Sequence, residues 1–305
     1  MNKKIYFKMT KPTVTIGIPT SFAGESLLET ARTISLAQKK ENYNLKIYAD
    51  RTPISTKLRQ QLKTLKFEVH WTPDPGSFLK KVRKLIAATN TDILIITQDD
   101  IIFDRDTISA TVASFRADPK ISMISARILP LSPETRFESM MASMVRLVDK
   151  IARYWNDGDN YLAASGRYLA FRTAHLKKLP IPEVVNGDMY LYLANSKYGG
   201  KFYRAEKAKV YIRCPQRLAD QFKPSNRFQY SKQEMEKYFS TDLTSLYRIP
   251  VLAILKGFIK ELVFDPIALI GYIFIFIYTR IFRIPAKKIM KTVWKIDTST
   301  KNIIS

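Results

Sequence analysis

The sequence predicts an α/β protein: a mostly parallel sheet flanked by helices, followed by an apolar and basic C-terminal segment. Three observations point there. Short apolar runs alternate with helical patterns between residues 13 and 127, as βαβ units require. The run Ile93-Leu94-Ile95-Ile96 is apolar throughout, as a parallel strand covered on both faces would be. From residue 249 onward an apolar stretch runs directly into a cluster of Lys and Arg.

Taken in order, residues 14–18 read as a first buried strand and 25–37 as a helix, with Leu27, Leu28, Ala31 and Ile34 at near-helical spacing. Residues 45–49 read as a second strand, 54–65 as a helix and 67–71 as a third strand. Pro73, Pro75 and Gly76 mark a loop, and 78–88 is a basic amphipathic helix. Residues 93–96 form the fourth strand, 107–116 a helix with Asp106 as its N-cap, and 121–126 another strand. Past Pro130 the pattern changes. Residues 137–154 form a helix whose Met140, Met141 and Met144 make a stripe, read either as core or as a surface for lipid or acceptor. Residues 169–171 read as a strand, and a mixed region reaches about residue 239.

The chain has 305 residues and 46% apolar content, enough for one large domain with an appendage. We expect a main domain over 1–240 and a membrane-associated segment over 241–305. Cys214 stands alone, which excludes an internal disulfide. No apolar leader precedes the first strand. The net charge of +23 favours a polyanionic partner. A nucleic-acid binder would interleave aromatic and basic residues on an exposed sheet. Here the basic residues concentrate in helices and near the C-terminus, so no nucleic acid is expected and an anionic membrane surface is.

Residues 249–263 are strongly apolar, with Lys256, Lys260 and Glu261 interrupting at helical spacing. Asp265-Pro266 then supplies an N-cap and an N1 proline for a second helix. From Pro266 to Ile281 that helix would rise only about 24 Å, short of the roughly 30 Å of a bilayer core. Arg280, Arg283, Lys287, Lys288, Lys291 and Lys295 follow with no acid among them. In a crossing helix this flank would lie in the cytoplasm and the main domain outside. We therefore expect a monotopic anchor on the cytoplasmic face: an interfacial helix, then a helix that dips in without crossing.

The fourth strand ends in Thr97-Gln98-Asp99-Asp100. Ligands of open α/β sheets bind beyond the carboxyl ends of the strands. Paired carboxylates there suit a hard cation and a sugar hydroxyl, or else an Asx-rich turn. Asp188, behind Gly187, suits either a general base or a helix N-cap. His70 and His175 lack metal-ligand spacing; the first reads as a strand residue, the second as surface. Cys214 reads as packing.

In order and spacing these segments resemble the family 2 glycosyltransferases over roughly residues 13–230. The resemblance rests on Ile18-Pro19-Thr20, on the strand ending at Asp50, on the helix after Ser77 and on the Gln98-Asp99-Asp100 segment. It continues through Ser165-Gly166 to Phe171-Arg172, Asn186-Gly187-Asp188-Met189-Tyr190-Leu191, and Tyr203 to Val210 as a strand pair. The apolar C-terminal stretch favours a lipid-linked or cell-envelope glycan acceptor; the resemblance implies a GT-A fold and inverting transfer of a sugar from a nucleotide-diphosphate donor to an acceptor hydroxyl. It further implies Asp188 as base, Asp100 as ligand of Mg²⁺ or Mn²⁺, and Pro19, Thr20, Asp50, Arg83 and Asp99 on the nucleotide sugar. The chain departs from the pattern at Gln98, where the metal motif usually begins with Asp, and at Gly187, where Glu usually precedes the base. Pro224 and Arg227-Phe228 stand where processive members carry Gln-x-x-Arg-Trp. The departures motivate a second reading, a catalytically impaired nucleotide-sugar-binding relative. A nucleotidyltransferase would need a basic, Gly-rich loop after the first strand, and Thr20 to Ser26 holds no base.

Overall fold

The computed structural model describes residues 11–38, 43–239, 243–282, 284–293 and 299–303. The expected domain boundary near residue 240, and Arg283 and Lys295 of the basic cluster, lie outside them.

The first part of the chain is built as its periodicity predicts: β1 (Val14–Thr20), α1 (Glu25–Ala37), β2 (Asn44–Asp50), α2 (Thr56–Thr64), β3 (Phe67–Thr72), α3 (Phe78–Ala87) and β4 (Ile93–Thr97). Ser55 and Ser77 cap α2 and α3 by accepting the N–H of Leu58 and Lys80, the role short hydroxyl side chains fill at helix starts. Next come β5 (Ile101–Phe103), α4 (Thr107–Ala117), β6 (Ile121–Pro130), α5 (Arg136–Tyr154), β7 (Tyr168–Arg172), the single turn α6 (Thr173–Leu176), α7 (Gly187–Lys197) and β8 (Lys201–Ile212). Short helices α8 (Leu218–Gln229), α9 (Ser231–Met235) and α10 (Leu243–Tyr247) lead to α11 (Val251–Phe264) and α12 (Pro266–Ile281).

The strands form one sheet in the order β3-β2-β1-β4-β7-β6-β8-β5. β1 to β4 are parallel, and β6 and β8 pair in parallel, while β7 and β5 run against their neighbours. Both faces are covered. Along β4, Ile93 and Ile95 enter the core under α1, α2 and α4, and Leu94 and Ile96 enter the core under α3 and α7. That is the period-two alternation of a strand, and burial on both faces explains why polar residues do not alternate along it.

Three features were not legible in the sequence. β5 is only three residues long and holds the sheet's edge through β8, too short for periodicity to register. β6 runs on to Pro130, and β8 is one strand rather than a pair. A bulge between Ala126 and Arg127 skips residues of β8, so that β8 pairs with β6 in two stretches; such bulges bend a strand without ending it.

The Met stripe lies on the side of α5 that receives α11 and α12. Met141 is fully buried, and Met140 faces Gly271, where a Cβ would stand 2.6 Å from its sulfur. Gly257 permits the same close approach at Ile151. Asp265 caps α12 as expected, accepting the Ala268 N–H at 3.1 Å with Pro266 in the first turn.

Candidate active site at the carboxyl edge of the sheet

Four acids stand at the ends of β2 and β4 and at the start of α7. Parallel strands end at one edge, so residues distant in sequence meet there. Asp50 closes β2 and is 1% exposed. Its Oδ2 accepts the Gly76 N–H and the Lys81 ammonium, each at 2.7 Å. Lys81 also donates to Ser21 Oγ at 2.9 Å and to the Gly76 carbonyl at 3.2 Å. One buried ammonium thus ties together the loops after β1, after β2 and before α3. Burial pushes the Asp50 carboxyl up, but the bonds from Lys81, Ser21 and the Gly76 N–H outweigh it and hold the group below its ordinary range.

Asp99, 5% exposed, receives the hydroxyl of Thr20 at the end of β1. Pro19 lies one residue earlier, opposite Tyr48 of β2. Burial and the adjacent Asp100 raise the Asp99 carboxyl, against the opposing pull of Lys301. Lys301 comes from the far end of the chain. Its ammonium lies 2.5 Å from Asp99 Oδ1 and 3.0 Å from Asp100 Oδ2. The other oxygen of Asp100, Oδ1, is buried with no hydrogen-bond partner among the described residues.

Asp188 lies in the first turn of α7. Its Oδ2 accepts the Gly166 N–H at 3.0 Å and its Oδ1 the N–H of Met189 at 2.9 Å. The cap position itself belongs to Asn186, which corrects the N-cap expectation for Asp188. One link brings Asp188 to the β4 edge. Gly166 precedes Arg167, whose carbonyl accepts the Thr97 hydroxyl at 2.7 Å, immediately before Gln98-Asp99-Asp100. The loop before Asp188 is held from α9. Glu234 accepts the N–H groups of Val185 and Asn186 at 2.7 and 2.9 Å and the Asn186 amide at 2.8 Å.

The structure therefore brings Asp50, Asp99 and Asp100 to one edge, with Pro19 and Thr20 beside them and Asp188 tied to that edge through Gly166. Arg83 is placed otherwise. Its guanidinium donates to the Ile181 carbonyl at 2.7 Å and pairs with Glu183. The α3 cation that reaches the acid cluster is Lys81, not Arg83. The reason is helical geometry: two residues along a helix turn a side chain about 200° away. Lys81 was indistinguishable in sequence from Lys80 and Lys84 around it. Lys301 and Glu234 carry no local signal at all. His175, expected at the surface, is half-buried, with its Nε2 beside Ser122 and Asn195 and depressed by burial.

Among the described residues no group of three or more His, Cys, Asp or Glu is placed to hold a metal. Asp99 and Asp100 nevertheless fit a divalent cation of the magnesium kind. Such ions are held by one or two protein carboxylates, with substrate phosphates and water completing the shell, and the unpartnered Asp100 Oδ1 is an oxygen still lacking a positive partner.

No protein-family profile and no curated protein sequence matches the chain. Solved structures do. A mannosyltransferase from Pyrobaculum calidifontis, solved with GDP-Man and Mn²⁺, superposes with a TM-score of 0.54 at 15% identity, covering 92% of this chain and 79% of that one. The fold is of the GT-A type. A mycobacterial protein matches with a TM-score of 0.50 at 11% identity, over 72% of this chain and 73% of its own. In the GT-A frame, the edge that gathers these acids is the carboxyl edge where open α/β sheets take their ligands.

Proposed function

We propose that the chain is an inverting glycosyltransferase that moves a sugar from a nucleotide-diphosphate donor to an acceptor hydroxyl, with Mg²⁺ or Mn²⁺. The observation that carries this is the convergence of Asp50, Asp99, Asp100 and Asp188 at the carboxyl edge of a GT-A fold. The structural neighbour solved with GDP-Man and Mn²⁺ supports the same class of donor.

Asp50 and Lys81 shape the nucleotide pocket with Pro19 and Thr20. Asp99 and Asp100 are the residues that would hold the ion, which when bound neutralises charge on the departing diphosphate. Asp188 takes the proton of the acceptor hydroxyl; that oxygen bonds the anomeric carbon as the bond to the diphosphate breaks. Two backbone N–H groups fix the Asp188 carboxylate in orientation, and Glu234 fixes the loop that carries it.

For the acceptor we propose a lipid-linked or envelope glycan, met at the cytoplasmic face of a membrane. What supports this is the inverted polarity of α11 and α12. Their one fully buried acid, Glu261, points inward to Ser143, Arg146 and Lys150 of α5. Ala253, Ala268 and Leu269 are buried on the same side, but a second apolar face points outward: Val251, Val263 and Ile267 are 78%, 82% and 81% exposed. Exposed apolar surface on this scale marks an interaction site, and Lys256, Lys260, Lys287 and Lys288 beside it suit anionic headgroups. No helix among the described residues is long and apolar enough to cross a membrane. A cavity of about 110 Å³ against α5, lined by Met144, Val148, Asp149, Ser165, Arg167 and Arg204, lies beside the segment that carries Gly166.

The test is a donor panel. Purified protein, Mn²⁺ and vesicles are incubated with nucleotide sugars, and free nucleoside diphosphate is measured. Release that depends on Mn²⁺ and Asp188 is the expected result. Binding of a nucleotide sugar without release would instead favour the catalytically impaired relative that Gln98 and Gly187 motivate.

A further inference from the structure

The C-terminal residues return some two hundred positions to the acid pair, and three consecutive residues are engaged there. Lys301 bridges Asp99 and Asp100. The carbonyl of Asn302 accepts Arg213 Nε at 3.0 Å. Ile303 is 5% exposed. Thr300 adds a long contact to Asp100 Oδ2 at 3.4 Å. Arg213 is itself fixed from the other side by Glu134 and Glu138. This is a docked segment rather than a surface lysine meeting a surface acid, since the Lys301 side chain is 17% exposed and its partners 7% and 13%.

We propose that Lys301 is a tethered internal cation that occupies the seat of the donor's metal ion and must leave before ion and donor bind. This rests on the reading of Asp99 and Asp100 as that seat. The exclusion is geometric and electrostatic. A magnesium-like ion takes carboxylate oxygens at about 2.0–2.1 Å, and the ammonium nitrogen already sits 2.5 and 3.0 Å from one oxygen of each acid. Two cations a few ångströms apart on shared oxygens repel each other. One ammonium also balances only one of the two carboxylates, whereas a divalent ion balances both. A metal–diphosphate complex therefore displaces the tail, while the unliganded site is kept closed by it. The buried Oδ1 of Asp100, without a partner among the described residues, is the oxygen that the ammonium leaves unserved. The tail so acts as a self-inhibitory plug that makes activity depend on a threshold of ion and donor.

The probe is Mn²⁺ alone, its free concentration followed by electron paramagnetic resonance against the full chain. A site that is competent only a tenth of the time binds its ligand about tenfold more weakly than the open site. Lys301→Ala is therefore expected to tighten Mn²⁺ binding about tenfold, and Lys301→Arg to leave it near the wild-type value. Adding Asp100→Asn to Lys301→Ala separates the two ideas. If that double variant loses Mn²⁺ but Lys301→Ala alone binds no tighter than wild type, the plug is overturned and the metal seat stands. If Asp100→Asn leaves Mn²⁺ binding intact, or no variant binds Mn²⁺, the metal seat falls and the plug with it. A second readout uses wild-type protein only. Zero-length carbodiimide coupling should join Lys301 to Asp99 or Asp100 in a yield that falls as Mn²⁺ rises. No such product, or a yield indifferent to Mn²⁺, overturns the proposal.

Discussion

The sheet edge and the α11–α12 hairpin obey opposite rules. Around the sheet, apolar side chains fill the interior and the acids stand at the rim, where loops and ligands supply their partners. In the hairpin the acid is inside and a large apolar face is outside. Glu261 is fully buried between Arg146 and Lys150, while Val263 and Ile267 stand in the open. Ion pairs from Glu261 to Arg146 and Lys150 join apolar contacts, Met140 against Gly271 and Ile151 against Gly257, in holding this helix pair to its domain, while a second apolar face is directed away from it. On the function proposed above, the contrast separates a chemical end of the molecule from an attaching one.

Several substitutions break or sharpen this contrast. The largest effect is expected at the rim. Asp188→Asn keeps the side-chain volume and removes the base, and should lower turnover by about 10²–10⁴-fold, measured as release of nucleoside diphosphate, with nucleotide binding unchanged. Retained turnover would remove Asp188 from the chemistry.

Next is the inner face of the hairpin. Glu261→Ala strands Arg146 and Lys150 without their buried partner, and breaking such a group costs roughly 3–5 kcal/mol. Urea unfolding should show it, by more than the loss at Asp188→Asn, whose amide oxygen can keep only one of the two N–H bonds that the carboxylate accepts. The outer face should behave in reverse. Replacing Val263 and Ile267 together by Glu should cut sedimentation with anionic vesicles by at least about tenfold, since each buried aliphatic side chain contributes about 1.5–3 kcal/mol, without lowering urea stability. Equal vesicle binding by this variant and wild type would remove lipid from the account.

A smaller effect is expected at Glu234, which touches only the loop before Asp188. Glu234→Gln weakens charge-assisted bonds worth about 1.5–3 kcal/mol and should lower kcat about tenfold with KM little moved. A purely structural role would lower stability and leave kcat per folded molecule intact.

The smallest effect concerns pH. Burial depresses His175 below its unfolded value. The folded state therefore binds the proton less readily than the unfolded chain, and stability falls as pH drops from about 6.5. His175→Gln should flatten the Tm profile between about pH 7 and 5.

The order of βαβ units, the carboxyl-edge position of Gln98-Asp99-Asp100 and the cap at Asp265 were all readable in the sequence. Each is written in neighbouring residues: a strand's composition, a helical spacing, a capping acid. Asp50 and Asp188 were readable by resemblance of order and spacing. Which lysine of α3 faces Asp50 was not, because three lysines crowd that helix and only its rotation against the sheet selects Lys81. Nor was the direction in which the hairpin turns its apolar faces, since a pattern of apolar residues broken by Lys and Glu is the same whether the charges look out or in. Glu234 beneath the Asp188 loop and Lys301 between Asp99 and Asp100 belong to the same class. Such contacts join segments tens to hundreds of residues apart, so no local pattern encodes them. Only the packing of the folded chain decides which distant charge meets which.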